Sequence, residues 1–155
     1  MRRVRVSAKT DYAVRAAVEL AGAPGDGLMK AERIAEAQDI PLNFLENILA
    51  QLRQARIVES RRGPDGGYLL ARPAKEITLA DVIRAIDGPL AGVGGKRPQD
   101  LSYTGSAEPL QEIWVAVRAS LRSVLERTTL ADVAAGKLPA NVAKLTSDPD
   151  AWTTH

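Results

Sequence analysis

The chain has no cysteine and a single histidine, which is the last of its 155 residues. Without thiols there can be no disulfide, no thiolate metal site and no cysteine nucleophile. With only His155, at a chain end expected to fray, histidine acid–base catalysis and histidine metal ligation are set aside as well. Neither an enzyme nor a metal site is expected. Aromatic residues make up only 4% of the chain, so the core has to be aliphatic and alanine-rich, which favours close-packed helices. No apolar run approaches the roughly 18 residues that cross a bilayer, and no membrane association is expected. The opening MRRVRVSAKTDYAV has no apolar segment behind its arginines. An export signal is therefore not expected, and the location expected by default is the cytoplasm.

Hydrophobic residues are 45% and charged residues 26% of the chain, the profile of a globular protein of about one domain. The net charge of +2 says little, but its distribution says more. Residues 1–72 hold 12 Lys/Arg against 9 Asp/Glu, whereas the remainder hold 9 against 10. Positive charge gathers at the N-terminus and in SRRGPDGGYLLAR, residues 60–72. There two arginines precede a turn containing Gly63, Pro64, Gly66 and Gly67, flanked by IVESRR and GYLLAR. Short β-prone runs around a glycine-rich turn predict a hairpin, here with a small, basic tip.

Helical periodicity predicts a first helix over 7–21, with Ala13, Ala16, Ala17, Leu20 and Ala21 on one face. GAPGDG ends it, and a short second helix is predicted over 30–38. After QDIP a third helix is predicted over 41–55, with Leu42, Leu45, Ile48, Leu49 and Leu52 on its inner face. Its other face carries Asn43, Phe44, Glu46, Asn47, Ala50, Gln51, Arg53 and Gln54. Taken alone that is an ordinary solvated surface. Helix, turn, helix and then hairpin, however, is the order of a winged helix-turn-helix, and amides and arginines are the side chains that read base edges in a major groove.

EITLADVIRAIDGPL predicts a fourth helix, with Thr78 as N-cap, Asp81 as its capping-box partner and Gly88–Pro89 as the stop. Leu79, Val82, Ile83 and Ile86 form its expected buried stripe. Residues 88–109, with five glycines, read as a loop. A long helix is predicted over 110–135. Its stripe of Ile113, Val117, Leu121, Val124 and Leu125, with Trp114 beside it, has too little chain left to cover it, so a homodimer is expected. Arg118, Arg122 and Glu126 fall on its exposed flank. Residues 136–155 read as a polar, flexible tail. The expected fold class is mainly α with a small β-wing: a winged helix-turn-helix domain over 1–87 plus a long dimerisation helix.

The segments KTDYAVRAAVELA, ERIAEAQDIPLNFLENILAQLRQARIVES, RRGPDGGYLLARPAKEITLADVIRAIDGPL and TTLADV together resemble the Rrf-two family of winged helix-turn-helix transcriptional regulators, the group of the iron–sulfur regulator IscR and the nitric-oxide sensor NsrR. The resemblance implies double-stranded DNA as partner, with the third helix in a major groove and the hairpin tip at an adjacent minor groove. Carried over, Asn43, Phe44, Glu46, Asn47 and Gln51 would face the bases. Arg61 and Arg62 would serve the wing, where Gly63, Gly66 and Gly67 would permit close approach to a narrow, negative groove. Arg2, Arg3, Arg5, Lys9 and Lys30 would contact the backbone.

The chain departs from the family in three places. Arg56 stands where the family has glycine. Lys30 replaces the Ser or Thr that precedes the second helix. The loop over 88–109, which holds three cysteines in cluster-binding members, has none here, so no iron–sulfur cofactor is expected. Asp11 matches an acidic cluster ligand of some members but cannot hold a cluster alone. The expectation is a homodimeric repressor of an inverted repeat, without a cluster; the alternative is a winged-helix adaptor gripping an acidic protein. Tyr103, Thr104, Ser106 and Trp114 in and beyond the loop are candidates to line a pocket for a small-molecule effector, or the loop has lost sensing.

Overall fold

Ser7 opens the first helix in the computed structural model, which describes residues 6–155. Its hydroxyl oxygen accepts the Thr10 amide at 3.1 Å and caps α1, Ala8–Ala21. Small residues on the inner face of α1 (Ala13, Ala16, Ala17) are fully buried. They let neighbouring helices pack closely on a core with few aromatics. Thr10, also buried, donates its hydroxyl to the carboxylate of Asp87.

The turn of the helix-turn-helix follows from one left-handed residue. The second helix, α2, spans Ala31–Gln38 and ends on Asp39 with φ 51°. Aspartate tolerates that region better than most side chains. The Ile40 amide then reaches back to the Ala35 carbonyl at 2.9 Å, which drives Ile40 into the core. The third helix, α3, spans Leu42–Gln54, with Leu45, Ile48, Leu49 and Leu52 essentially fully buried. Each contributes roughly 1.5–3 kcal/mol by leaving water. Leu42, expected on that face, is instead 37% exposed at the first turn.

Beyond α3, Arg56 has φ 60° and the Ile57 amide bonds the Leu52 carbonyl at 3.0 Å. This is the glycine-favouring end of a helix, and an exposed arginine occupies it. Replacing Arg56 with glycine is expected to stabilise the fold by about 1 kcal/mol. The check is a rise in urea midpoint with an unchanged slope.

The wing is the antiparallel pair β1, Val58–Arg61, and β2, Gly67–Leu70, in register Val58↔Leu70 through Arg61↔Gly67. Met29 forms a bridge to Tyr68, with amide–carbonyl distances of 2.8 and 2.7 Å in the two directions. The hairpin is therefore anchored beside the start of α2. A Cβ on Gly67 would lie 2.5 Å from the Met29 carbonyl oxygen, and one on Gly66 would lie 2.1 Å from that of Arg61. Both positions need glycine because of the chain's own backbone, not because of a groove outside it.

The fourth helix, α4, spans Leu79–Asp87 and starts in the expected capping box of Thr78 and Asp81. Its fully buried face is Ala80, Val82 and Ile83, with Leu79 and Ile86 half-buried. Residues 88–109 are irregular apart from short turns at Pro98–Asp100 and Gly105–Ala107.

The single long helix expected over 110–135 is two helices, α5 at Leu110–Leu125 and α6 at Leu130–Ala135. Thr129 and Asp132 form a second capping box, which starts a new helix. The two similar stretches ITLADV and TTLADV lie antiparallel at their caps: Leu79 N–H bonds the Thr128 carbonyl and Leu130 N–H the Ile77 carbonyl, both at 2.9 Å. Leu130 is fully buried in the main core, and α6 packs on α1.

The tail expected to be flexible over 136–155 carries a helix, α7, at Ala140–Thr146 and a turn at Pro149–Trp152. The Asn141 side chain donates to the Ser123 carbonyl at 2.7 Å, tying α7 to α5. No helix among the described residues is long and apolar enough to cross a membrane.

Candidate nucleic-acid interface

The outer face of α3 is polar and open. Asn43, Phe44, Glu46 and Asn47 are exposed and Gln51 is half-buried. Phe44 is 58% exposed, a large apolar area to leave in water without a partner surface. Gln51 donates to the Asn47 side chain at 2.9 Å, which holds two amides one turn apart in a fixed relation. Pro41 supplies no side-chain cap, so the first amides of α3, at its positive dipole end, have no side-chain acceptor. Arg53 donates to Ser60 at 3.2 Å and links the end of α3 to β1.

Arg61 and Arg62 are exposed on the wing, and their side chains make no hydrogen bond or ion pair among the described residues. Around Gly63 nothing lies within 4 Å of where a side chain would begin. Of the three wing glycines, it alone is free of the chain's own contacts. Lys30, expected on phosphate, donates its Nζ to the Pro64 carbonyl at 2.8 Å. It fastens the wing tip to the start of α2 while its charge stays at the surface. Lys9 is exposed in the first turn of α1. Arg2, Arg3 and Arg5 lie outside the described residues. Arg33 was missed by sequence reasoning: it is exposed on α2 and lines a cleft of about 410 Å³ beside the wing tip. Only the packing of α2 against the wing reveals it.

On α5, Ile113 is 52% exposed and Leu110 37%. Val117, Leu121 and Val124 are half-buried. Leu125, expected in the dimer stripe, packs instead on Ala80, Ile83 and Leu90 of its own chain. Trp114 is half-buried, and its indole N–H is buried without an acceptor among the described residues. Tyr103 is half-buried, Thr104 and Ser106 are exposed. The cleft that forms between α4, the loop and α5 is lined by none of Tyr103, Thr104, Ser106 or Trp114, so those four do not define it. Its walls include Arg84, Arg97, Arg118, Arg122 and Glu126. Hydrogen bonding from Arg84, then from Arg122, holds the Glu126 carboxyl below the usual carboxylate range. Whatever this link adds to stability is present above the ordinary carboxylate pKa and is lost as pH falls through the lowered one.

The model of the Rrf2 family, described as iron-dependent transcriptional regulators, matches residues 6–136. The chain belongs to the Rrf2 family. A Mycobacterium tuberculosis (strain H37Rv) protein assigned by name to the HTH-type transcriptional regulators, Rv1287, is 54% identical over 145 residues, covering 94% of this chain and 90% of that one. The HTH-type transcriptional regulator CymR of Bacillus subtilis is 33% identical over 132 residues, covering 84% of this chain and 90% of its own. The solved structure of CymR, titled the global cysteine regulator of B. subtilis, superposes with a TM-score of 0.73 at 32% identity, covering 86% of this chain and 98% of that one. That of T. potens IscR gives 0.67 at 32% identity, covering 97% and 93%. This Rrf2 protein is thus a winged-helix, DNA-binding transcriptional regulator and not an enzyme.

The description of the family raises the question of iron. The donors do not fit an iron–sulfur cluster: the chain has no cysteine, and clusters are held by thiolates. Among the described residues no three His, Cys, Asp or Glu side chains come together as a metal site. Asp11, at the family's acidic position, is paired with Arg15 at 3.1 Å.

Proposed function

We propose that this Rrf2 protein is a homodimeric cytoplasmic repressor that reads an inverted repeat and works without an iron–sulfur cluster. The observation that carries the reading is the joint presentation of the open amide face of α3 and, on an anchored wing, the side chains of Arg61 and Arg62, which have no partner among the described residues. Asn43, Phe44, Glu46, Asn47 and Gln51 face the bases in a major groove; Arg61, Arg62 and the Gly63 turn meet phosphates and the adjacent minor groove. Lys9, Arg2, Arg3 and Arg5 add backbone contacts, and Lys30 contributes charge from beneath the wing tip. The apolar face of α5 around Ile113 supports the dimer, since its own chain leaves it open. The absence of any thiolate supports the cluster-free reading.

Operator binding of the Arg61→Ala/Arg62→Ala variant tests it. Affinity should fall for all sequences, and the slope of log K against log salt should flatten by about 2. Asn43→Ala should instead change which bases are preferred, leaving the slope intact. An unchanged slope in the double variant removes the wing from the interface. Binding indifferent to duplex symmetry would favour an adaptor gripping an acidic protein.

A further inference from the structure

The cleft between α4, the 88–109 loop and α5 has a volume of about 530 Å³ and gathers four arginines from three separate segments. Arg84 comes from α4, Arg97 from the loop, and Arg118 and Arg122 from α5. A single carboxylate, Glu126, lines it with them. Arg84 and Arg122 both donate to one oxygen of that carboxylate, Arg122 at 2.9 Å. Arg118 donates to the neutral side-chain oxygen of Gln99. The Arg97 guanidinium has no hydrogen bond or ion pair among the described residues. One carboxylate does not offset four guanidinium groups, so the cleft is net positive. Each guanidinium carries five N–H donors in a planar fork suited to carboxylate or phosphate. Leu90 and Pro98, both buried, give the cleft a firm apolar wall. The volume lies in the range of small-molecule sites, about 300–1,000 Å³.

We propose that this cleft binds a small metabolite carrying at least two oxyanion groups, carboxylate or phosphate, and that its occupancy regulates DNA binding. The regulatory half rests on the function proposed above; the binding half does not. Arg84 sits on a helix packed in the DNA-binding unit, while Arg118 and Arg122 sit on the helix whose open face supports the dimer. A polyanion bridging them favours one angle between the two. It shifts operator affinity by its differential affinity for the two arrangements, a coupling typically of about 5- to 150-fold.

The test is calorimetric titration of the full chain with citrate and, separately, with pyrophosphate, against sodium chloride at matched ionic strength. At least one polyanion should bind saturably at one per chain. Arg97→Ala and Arg118→Ala should each weaken it about tenfold or more, while Lys144→Ala, exposed on α7 outside the cleft, leaves it unchanged. Preference for citrate identifies a carboxylate ligand, and preference for pyrophosphate a phosphorylated one. Heats no larger than those of chloride, or equal binding by the cleft variants, overturn the proposal. So does an Arg97→Ala/Arg118→Ala protein that has lost operator affinity and salt slope while neither polyanion binds the native chain; the cleft is then a DNA-phosphate contact and the regulator reading survives. Polyanion binding in the cleft by a protein that selects no duplex would instead defeat the regulator reading alone.

Discussion

Truncating Leu130 to alanine is expected to lower the unfolding free energy by about 2–5 kcal/mol, the range for deleting a fully buried leucine side chain. The side chain is 0% exposed and joins the core built around α1. Its backbone is held as well: the Leu130 amide bonds Ile77, and the neighbouring Thr128 carbonyl accepts the Leu79 amide. Residues 128–130 therefore clasp the start of α4 from a part of the chain more than 100 positions beyond α1. The segment makes α6 part of the unit packed around α1 rather than an extension of α5. Urea unfolding should show a lower midpoint with little change in slope. A loss under about 1 kcal/mol would show that α6 opens independently of the core.

Replacing Ile113 with aspartate is expected to leave the single chain folded and dissociate the proposed dimer. Ile113 is 52% exposed on its own chain, so a charge there is solvated in the monomer. At a dimer seam the same carboxylate would be buried unpaired, at about 3–5 kcal/mol. That weakens association by about a hundredfold or more. Leu121 is a less clean site, because it is already half-buried within the chain and a charge there would strain the fold too. Sedimentation should show monomer for Ile113→Asp at concentrations where the native chain is dimeric, with operator affinity reduced in parallel. A variant that sediments as a dimer takes Ile113 out of the interface.

The local elements around the helix-turn-helix were readable because their determinants are local. The stripe from Leu45 to Leu52, the capping box at Thr78 and the glycine turn between two β-prone runs each act within a few residues. The capping box at Thr129 obeys the same rule and repeats the ITLADV pattern as TTLADV, yet the apolar stripe of α5 runs smoothly toward it. The stripe itself stops at Leu125, and residues 126–129, ERTT, carry no apolar side chain. The split was therefore available in the sequence, as a cap signal and a gap in the stripe.

By itself the sequence determined the order of elements as far as α4, the aliphatic core, the polar outer face of α3, the basic wing and the lack of any thiolate for a cluster. All of these depend on residue type and short-range spacing. Only the tertiary structure decided what each surface residue is free to do. Lys30 is held by Pro64 while Arg61 and Arg62 are not; Gly66 and Gly67 make room for the chain's own carbonyls; Leu125 is taken by Ala80, Ile83 and Leu90. It alone assembled Arg84, Arg97, Arg118 and Arg122, which span 39 sequence positions, into one cleft. Charges that far apart in the chain interact only when packing brings their elements together, and no local pattern encodes that distance.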